Sequence, residues 1–188
     1  MINDTVIDFQ KIHNDFRPRI HRYLARLVGE FEAEDLTQEV FLRISQALHT
    51  FRGESKLSTW IYRIATNAAL DRMRAPSFLR NVQNGLFNGY DSGEMEVDRE
   101  FAEIEDSQLS PEHQLFLKEG YQCYQDTIEN LPVNYRTVVA LSELEELAIS
   151  EIAEILGLSL DVVKIRLHRG RARLLKALKA RCKAEDWL

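Results

Sequence analysis

Apolar residues recur at steps of three and four along most of the chain, the spacing that places them on one face of an α-helix. In the first segment they are Phe9, Ile12, Phe16, Ile20, Tyr23 and Leu27. Gly29 then stands where a left-handed residue commonly ends a helix. A second helix is predicted over about 33–48. Neither a strand-like alternation nor an internal repeat is present, so the sequence predicts an all-α fold.

The segment 51–58 breaks this helical spacing and is predicted to be a loop. Ser58 can accept a hydrogen bond from the free N–H groups at the start of a helix, so we expect the third helix to cover about 59–74. After Pro111 the helical spacing resumes, and Pro132 separates two further predicted helices.

The stretch between these helical regions has a different composition. Residues 85–112 hold nine acidic residues and one basic residue, a net charge of −8, whereas the whole chain of 188 residues has a net charge of −6. Glycine, proline and acidic residues offer little apolar surface for a core. We therefore expect two small helical domains, 1–76 and 113–188, joined by a flexible acidic linker, 77–112.

The composition also excludes several classes of protein. The sequence has no run of about 18 apolar residues, so no membrane-spanning helix is expected. The N-terminus lacks the basic and apolar segments of a secretory signal. No glycine-rich phosphate loop, nucleophile constellation or metal-spaced set of His and Cys is found. We expect a non-enzymatic, cytoplasmic protein with no catalytic residue, cofactor, metal site or direct membrane insertion.

Residues 150–169 have the features of a helix-turn-helix. Ser150 and Ser159 are placed to cap two helices, and Gly157 lies in the turn between them, where a positive φ is easiest for glycine. The second helix belongs to a basic segment, 160–183, with a net charge of +8. Such a helix fits the DNA major groove, where its first residues reach base edges and its basic residues hold phosphates.

Two interpretations of this basic helix compete. Its charges could form the solvated face of an ordinary core helix, or they could bind DNA. The caps, the turn glycine and the charge together favour DNA. The candidate contacts are Lys164, Arg166, His168, Arg169, Arg171 and Arg173.

The third predicted helix carries an unusual stripe of side chains. Steps of three and four place on one face Trp60, Arg63, Asn67, Asp71 and Arg74. Aromatic rings stack on unpaired bases, at roughly 1–3 kcal/mol per base, while arginines bind phosphates and an asparagine can read a base edge. The loop before this helix adds Phe51, Arg52 and Lys56. The alternative is that Trp60 is buried in the core and the charges are only solvated.

Two segments carry a family resemblance. Residues 35–44 (DLTQEVFLRI) and 51–71 (FRGESKLSTWIYRIATNAALD) closely resemble the second conserved region of bacterial sigma factors of the extracytoplasmic-function (ECF) group. The helix-turn-helix resembles the fourth region of the same group. The resemblance implies two helical sigma domains that recognise a promoter and open its DNA together with core RNA polymerase at transcription initiation.

The resemblance also implies roles for individual positions. The surface that docks on the coiled coil of the polymerase β′ subunit would include Asp35, Gln38, Glu39 and Phe41. Recognition and opening of the promoter −10 element would use Phe51, Arg52, Lys56, Thr59, Trp60, Arg63, Asn67, Asp71 and Arg74. The −35 element would be read by Lys164, Ile165, His168 and Arg169, with Arg166, Arg171 and Arg173 beside them. The implied partners are the β′ and β subunits of core polymerase, promoter DNA and an anti-sigma factor.

Three positions depart from the family pattern, and other functions stay open. Val162 stands where a threonine is frequent, Ile165 replaces a frequent serine and cannot donate a hydrogen bond, and Gly170 replaces a usual alanine inside a helix. Gly170 indicates either a close approach of another element or a locally softened helix. The competing functions are a helix-turn-helix regulator that acts without polymerase and a protein-interaction adapter.

Overall fold

The computed structural model describes residues 8–76, 78 and 111–181, with the backbone alone for 111–118. These residues form seven α-helices, a 3₁₀ turn (Leu48–Thr50) and a π-helical turn (Ala140–Leu144), with no strand among them. The α-helices are α1 (Phe9–Val28), α2 (Glu30–Ala47), α3 (Leu57–Arg74), α4 (Pro111–Glu129), α5 (Val133–Val139), α6 (Ile149–Leu156) and α7 (Leu160–Arg181). The all-α prediction is confirmed. The predicted linker, 77–112, lies outside the described residues except for 78 and the first two residues of α4.

Two glycines end helices as the sequence predicts. Gly29 follows α1 with a φ of 87°, and its N–H donates to the carbonyl of Ala25 at 2.9 Å. Gly157 follows α6 in the left-handed region with a φ of 62°. A side chain is strained in that region, so glycine suits the sharp turn between α6 and α7.

The predicted serine caps are only partly correct. Ser159 does cap α7, because its hydroxyl accepts the Val162 N–H at 3.4 Å. Ser58 and Ser150 do not cap, since α3 begins two residues before the expected start and α6 begins after Ala148. At α6 the capping acceptor is the carboxylate of Glu151, which lies 2.9 Å from the N–H of Ala148.

A pair of tyrosines holds the N-terminal helices together. Tyr23 on α1 and Tyr62 on α3 are fully buried, with their rings edge to face and their centroids 5.4 Å apart. The Tyr23 hydroxyl also shares a hydrogen bond of 2.8 Å with the Thr66 hydroxyl. Burial of two large rings with a satisfied hydroxyl fixes the crossing of α1 and α3.

Gly170 marks a close approach between α5 and α7. A Cβ added at Gly170 would lie 2.7 Å from Cγ2 of Val139, closer than two carbon atoms can pack. Val139 is itself completely buried, and a β-branched side chain has few other rotamers. Of the two explanations offered by the sequence, the close approach is therefore the correct one.

This contact predicts the effect of restoring alanine. Gly170→Ala should lower the free energy of unfolding by up to about 2 kcal/mol, because overpacking costs about 1–3 kcal/mol and the better helix propensity of alanine returns about 1 kcal/mol. Urea unfolding measures the difference. In a Val139→Ala background the penalty should disappear, and an equal penalty in both backgrounds would contradict the contact.

The N-terminal and C-terminal helices are packed against each other. One cluster of buried apolar residues continues through the N-terminal half (α1–α3) and the C-terminal half (α4–α7). Between the halves, α3 packs against α6, and α1 packs against α4 and α5. The Arg136 guanidinium donates to the carbonyl of Leu27 at 2.9 Å, and Arg26 pairs with Glu129 at 2.7 Å. These contacts place α3, which carries the stripe from Trp60 to Arg74, directly against α6, the first helix of the helix-turn-helix.

Candidate nucleic-acid interface

The aromatic rings at the start of α3 are partly exposed to solvent and pack against each other. Phe51 precedes the helix and Trp60 lies in its first turn, with ring centroids 5.4 Å apart and planes inclined at 52°. Both rings are half-buried, and Trp60 packs on the edge of the core. The indole is therefore neither a sealed core residue nor a fully exposed one. Thr59 is completely buried (1% exposed), so in this arrangement it offers nothing to a ligand.

The basic residues near this pair are held by acidic residues of α6. The Lys56 ammonium lies 3.0 Å from the Glu151 carboxylate, and Arg63 makes a close ion pair with Glu154. The Ala148 N–H and the Lys56 ammonium together hold the pKa of Glu151 below its ordinary value. The Nε atom of Arg63 is buried without a hydrogen-bond acceptor. The carboxylates of α6 are thus paired with the cations that the sequence predicts to bind DNA phosphates.

A buried carboxylate reinforces the same contact between the two halves. Tyr62 on α3 donates a short hydrogen bond to Glu145, and the guanidinium of Arg19 lies 3.6 Å from the same carboxylate. Burial raises the pKa of Glu145, while the Tyr62 hydroxyl and the nearby arginines oppose that rise. The next residue, Glu146, has a φ of 53°, a conformation that costs energy for a residue with a side chain. This strained turn places the Glu145 carboxylate against Tyr62 of α3.

The remaining part of the stripe faces outward. Asn67 is exposed and lines an open groove with Arg63, Glu154 and Gly157. Asp71 and Arg74 are exposed and form a loose pair at 3.7 Å, and Arg52 in the preceding loop is also exposed. The structure therefore brings Trp60, Arg63, Asn67, Asp71 and Arg74 to one side of α3, with one end covered by α6, whereas Thr59 lies in the core.

The first turns of α7 present a basic face to solvent. Lys164, His168 and Arg169 are exposed, and so is Ile165, at 51%. The opposite face is buried through Val163, Leu167, Gly170 and Leu174. Arg166 is half-buried beside α3 and α5. The helix-turn-helix therefore exposes the N-terminal part of its second helix, the part that enters DNA in this motif.

Two predicted −35 residues have other contacts. Arg171 pairs with Glu143 at 2.6 Å, and the guanidinium of Arg173 lies 5.0 Å from the centroid of the Tyr135 ring. Both side chains remain exposed. These contacts help to hold α7 on the preceding helices, so in this arrangement the two arginines stabilise the domain and are not free cations.

The exposed face of α2 differs from the predicted docking surface. Phe41 is wrong as a surface residue, because it is only 4% exposed and packs edge to face on His13. Asp35 and Gln38 are exposed, and Glu39 is tied to Arg72 at 3.1 Å.

The same face of α2 holds two large apolar residues that sequence reasoning missed. Phe31 is 86% exposed and Leu42 is 59% exposed. Steps of four, three and four join Phe31, Asp35, Gln38 and Leu42 along one side of the helix. This spacing is visible in the sequence and could have placed Phe31 and Leu42 on the same face as Asp35 and Gln38. An apolar pair of this kind on a helix face is typical of a protein-binding surface.

Among the residues that the structure describes, no helix is both long and apolar enough to cross a membrane. Among the same residues, no group of three or more His, Cys, Asp or Glu side chains is placed to hold a metal ion.

Comparison with known proteins assigns both halves to one family. Residues 12–77 match Sigma-70 region 2, and residues 121–174 match Sigma-70, region 4. The ECF RNA polymerase sigma factor SigW of Bacillus subtilis is 34% identical over 174 residues, which cover 91% of this chain and 89% of that protein. The ECF RNA polymerase sigma-E factor of Escherichia coli is 30% identical over 156 residues, covering 83% of this chain and 78% of that protein.

Solved structures show the same fold. The sigma factor RpoE of Bartonella quintana, solved with the anti-sigma factor NepR, aligns with a TM-score of 0.65 at 20% identity, over 94% of this chain and 99% of that chain. CnrH, solved with the cytosolic domain of CnrY, aligns with a TM-score of 0.60 at 20% identity, over 92% of this chain and 88% of that chain.

Two sigma regions in this order define the class as a transcription initiation factor. The chain belongs to the ECF group of the sigma-70 family of RNA polymerase sigma factors. Its function is promoter recognition in transcription initiation, and sigma factors are not enzymes. The family and function predicted from the sequence are confirmed, in preference to a regulator that acts without polymerase or an adapter.

Proposed function

We propose that three surfaces divide the work of initiation in this chain. The exposed face of α2, with Phe31, Asp35, Gln38 and Leu42, docks on the polymerase β′ subunit. The loop before α3 and the outer face of α3 hold the unpaired −10 strand. The first turns of α7 read the −35 duplex. The observation that supports this division best is the half-open Phe51–Trp60 ring pair beside exposed Asn67 on one face of α3.

The packing of α6 on α3 has a direct consequence for this function. Glu151 and Glu154 neutralise Lys56 and Arg63 much as two phosphates of a DNA strand would. A strand cannot use these cations while α6 holds them. We therefore infer that the described arrangement is a closed state, and that α3 and α6 separate before the −10 strand is bound.

Energetics explain why core polymerase is needed as a partner. Opening DNA costs roughly 1.4 kcal/mol per base-pair step on average, and stacking of one base on an aromatic ring returns about 1–3 kcal/mol. One ring pair on α3 offsets only one or two steps. The β′ and β subunits must contribute the remaining contacts to phosphates and to the open strands.

We further propose that the chain acts in the cytoplasm, where core polymerase and promoter DNA are found, and that an anti-sigma factor controls it. A structurally similar sigma factor, RpoE of Bartonella quintana, was solved with the anti-sigma factor NepR. An anti-sigma factor that binds across the contact between α3 and α6 would prolong the closed state.

Run-off transcription with purified core polymerase tests the proposed function. The chain is expected to give transcripts from specific start sites on genomic fragments, whereas core polymerase alone should not. Tight binding to a palindromic duplex without polymerase, and no specific transcript, would instead support a regulator that acts alone.

The apolar pair on α2 gives a specific prediction for docking. Leu42→Ala together with Phe31→Ala should weaken binding to core polymerase by about 10- to 100-fold, because each buried large side chain contributes about 1.5–3 kcal/mol and binding retains part of that. Fluorescence anisotropy of the labelled chain measures the affinity. Val133→Ala, at an exposed apolar residue outside α2, is the control; an equal loss there would contradict the assignment.

A further inference from the structure

Ile165 lies on the outward face of α7, opposite the buried residues of that helix. The four buried residues of α7 all lie within about 60° around the helix. At about 100° per residue, Ile165 lies about 170° from their mean direction, at the centre of the outward face. Its exposure of 51% agrees with that placement. Ile165 is therefore directed into whatever groove the helix enters.

We propose that Ile165 reads the 5-methyl group of a thymine in the −35 element. The inference rests on the proposed function of α7 as the −35 reader and specifies what that helix prefers. The thymine methyl is the apolar group that base edges present in the major groove, and an aliphatic side chain is its natural contact. Val162, one turn before, is 36% exposed and extends the same apolar patch.

The charges around this patch identify its occupant as DNA. Lys164, His168 and Arg169 surround Ile165 and are all exposed. Asp161 is the single acidic residue of the basic segment 160–183; its side chain is 88% exposed on the same outward side and makes a loose pair with Lys164 at 4.0 Å. Phosphates would repel that carboxylate, whereas the amino group of cytosine donates to it. An acid, an aliphatic residue and flanking cations suit base edges between two phosphate backbones.

Deoxyuridine provides the test, because it pairs like thymidine and lacks only the methyl group. A promoter is first identified by mapping transcripts of the chain with core polymerase. Each thymine of its −35 duplex is then replaced in turn by deoxyuridine, and binding of the complete holoenzyme is measured. For the wild-type chain we expect an affinity loss of about fourfold at one or two positions, the value of one methyl group.

The variants separate a methyl contact from a general effect. Ile165→Ala should bind the thymine and deoxyuridine duplexes equally, at the level of the wild-type chain on deoxyuridine. Leu175→Ala is the matched control, since Leu175 is 48% exposed on the same helix and should keep the full discrimination. Equal binding of both duplexes by the wild-type chain at every position, or discrimination retained by Ile165→Ala, would overturn the methyl contact alone. Absence of any promoter-specific transcript would overturn the −35 assignment and the methyl contact with it.

Discussion

Trp60→Ala is expected to reduce promoter opening by about 5- to 150-fold while leaving the affinity for core polymerase unchanged. The range is the 1–3 kcal/mol that one stacked base contributes. The indole is half-buried against Phe51, at the start of α3, where a base can enter between loop and helix. Permanganate reactivity of unpaired thymines reports opening, and anisotropy of the labelled chain reports docking.

Trp60→Phe is the matched variant for this experiment. It keeps an aromatic ring against Phe51 and should retain most of the opening activity. Thermal unfolding of both variants shows whether α3 is still folded. An equal loss of opening and of docking in Trp60→Ala would refute the role given to the indole, because a general defect of the domain would then explain both.

Tyr62→Phe is expected to shift the chain from the closed state towards separated domains by about 10- to 150-fold. The substitution keeps the buried ring and removes the hydroxyl that donates to Glu145. A hydrogen bond to a charged group contributes about 1.5–3 kcal/mol, and the carboxylate would lose that donor in a buried position. Because only the open state can bind a strand, the free chain should gain affinity for a single-stranded −10 oligonucleotide.

Tyr23→Phe provides the control for this prediction. Tyr23 is as deeply buried as Tyr62, but its hydroxyl bonds to Thr66 within the N-terminal half. Its loss should lower the stability of that half and leave the affinity for the oligonucleotide unchanged. Small-angle scattering should show a larger radius for Tyr62→Phe alone. Identical behaviour of the two variants would contradict a specific role for the Tyr62–Glu145 bond.

The sequence predicted the helices well because their signals are local. Apolar spacing defines α1 to α3, and Gly29 and Gly157 end their helices with the positive φ values that favour glycine. The errors at helix starts are also local in origin. Ser58 and Ser150 are suitable caps, but Lys56 and Ala148 hold those positions, and the side chain of Glu151 supplies the acceptor at α6.

The sequence predicted which residues belong to the candidate site better than it predicted which neighbours those residues contact. The stripe from Trp60 to Arg74 lies on one face of α3, as the spacing requires. Phe41 was misplaced because its position on the border of an amphipathic helix fits either face, and contact with His13 decides it. The pair of Arg63 with Glu154 joins residues 91 positions apart. A single sequence contains no signal for such a contact between two exposed charges.

We propose that one face of α3 binds α6 in the free chain and DNA during initiation. Energy transfer between dyes on unnatural amino acids at Glu54 and Ser150 tests it most directly. These exposed residues flank the Lys56–Glu151 ion pair. We expect high transfer in the free chain and low transfer in promoter complexes whose −10 thymines react with permanganate. Equally high transfer in those open complexes would contradict the account.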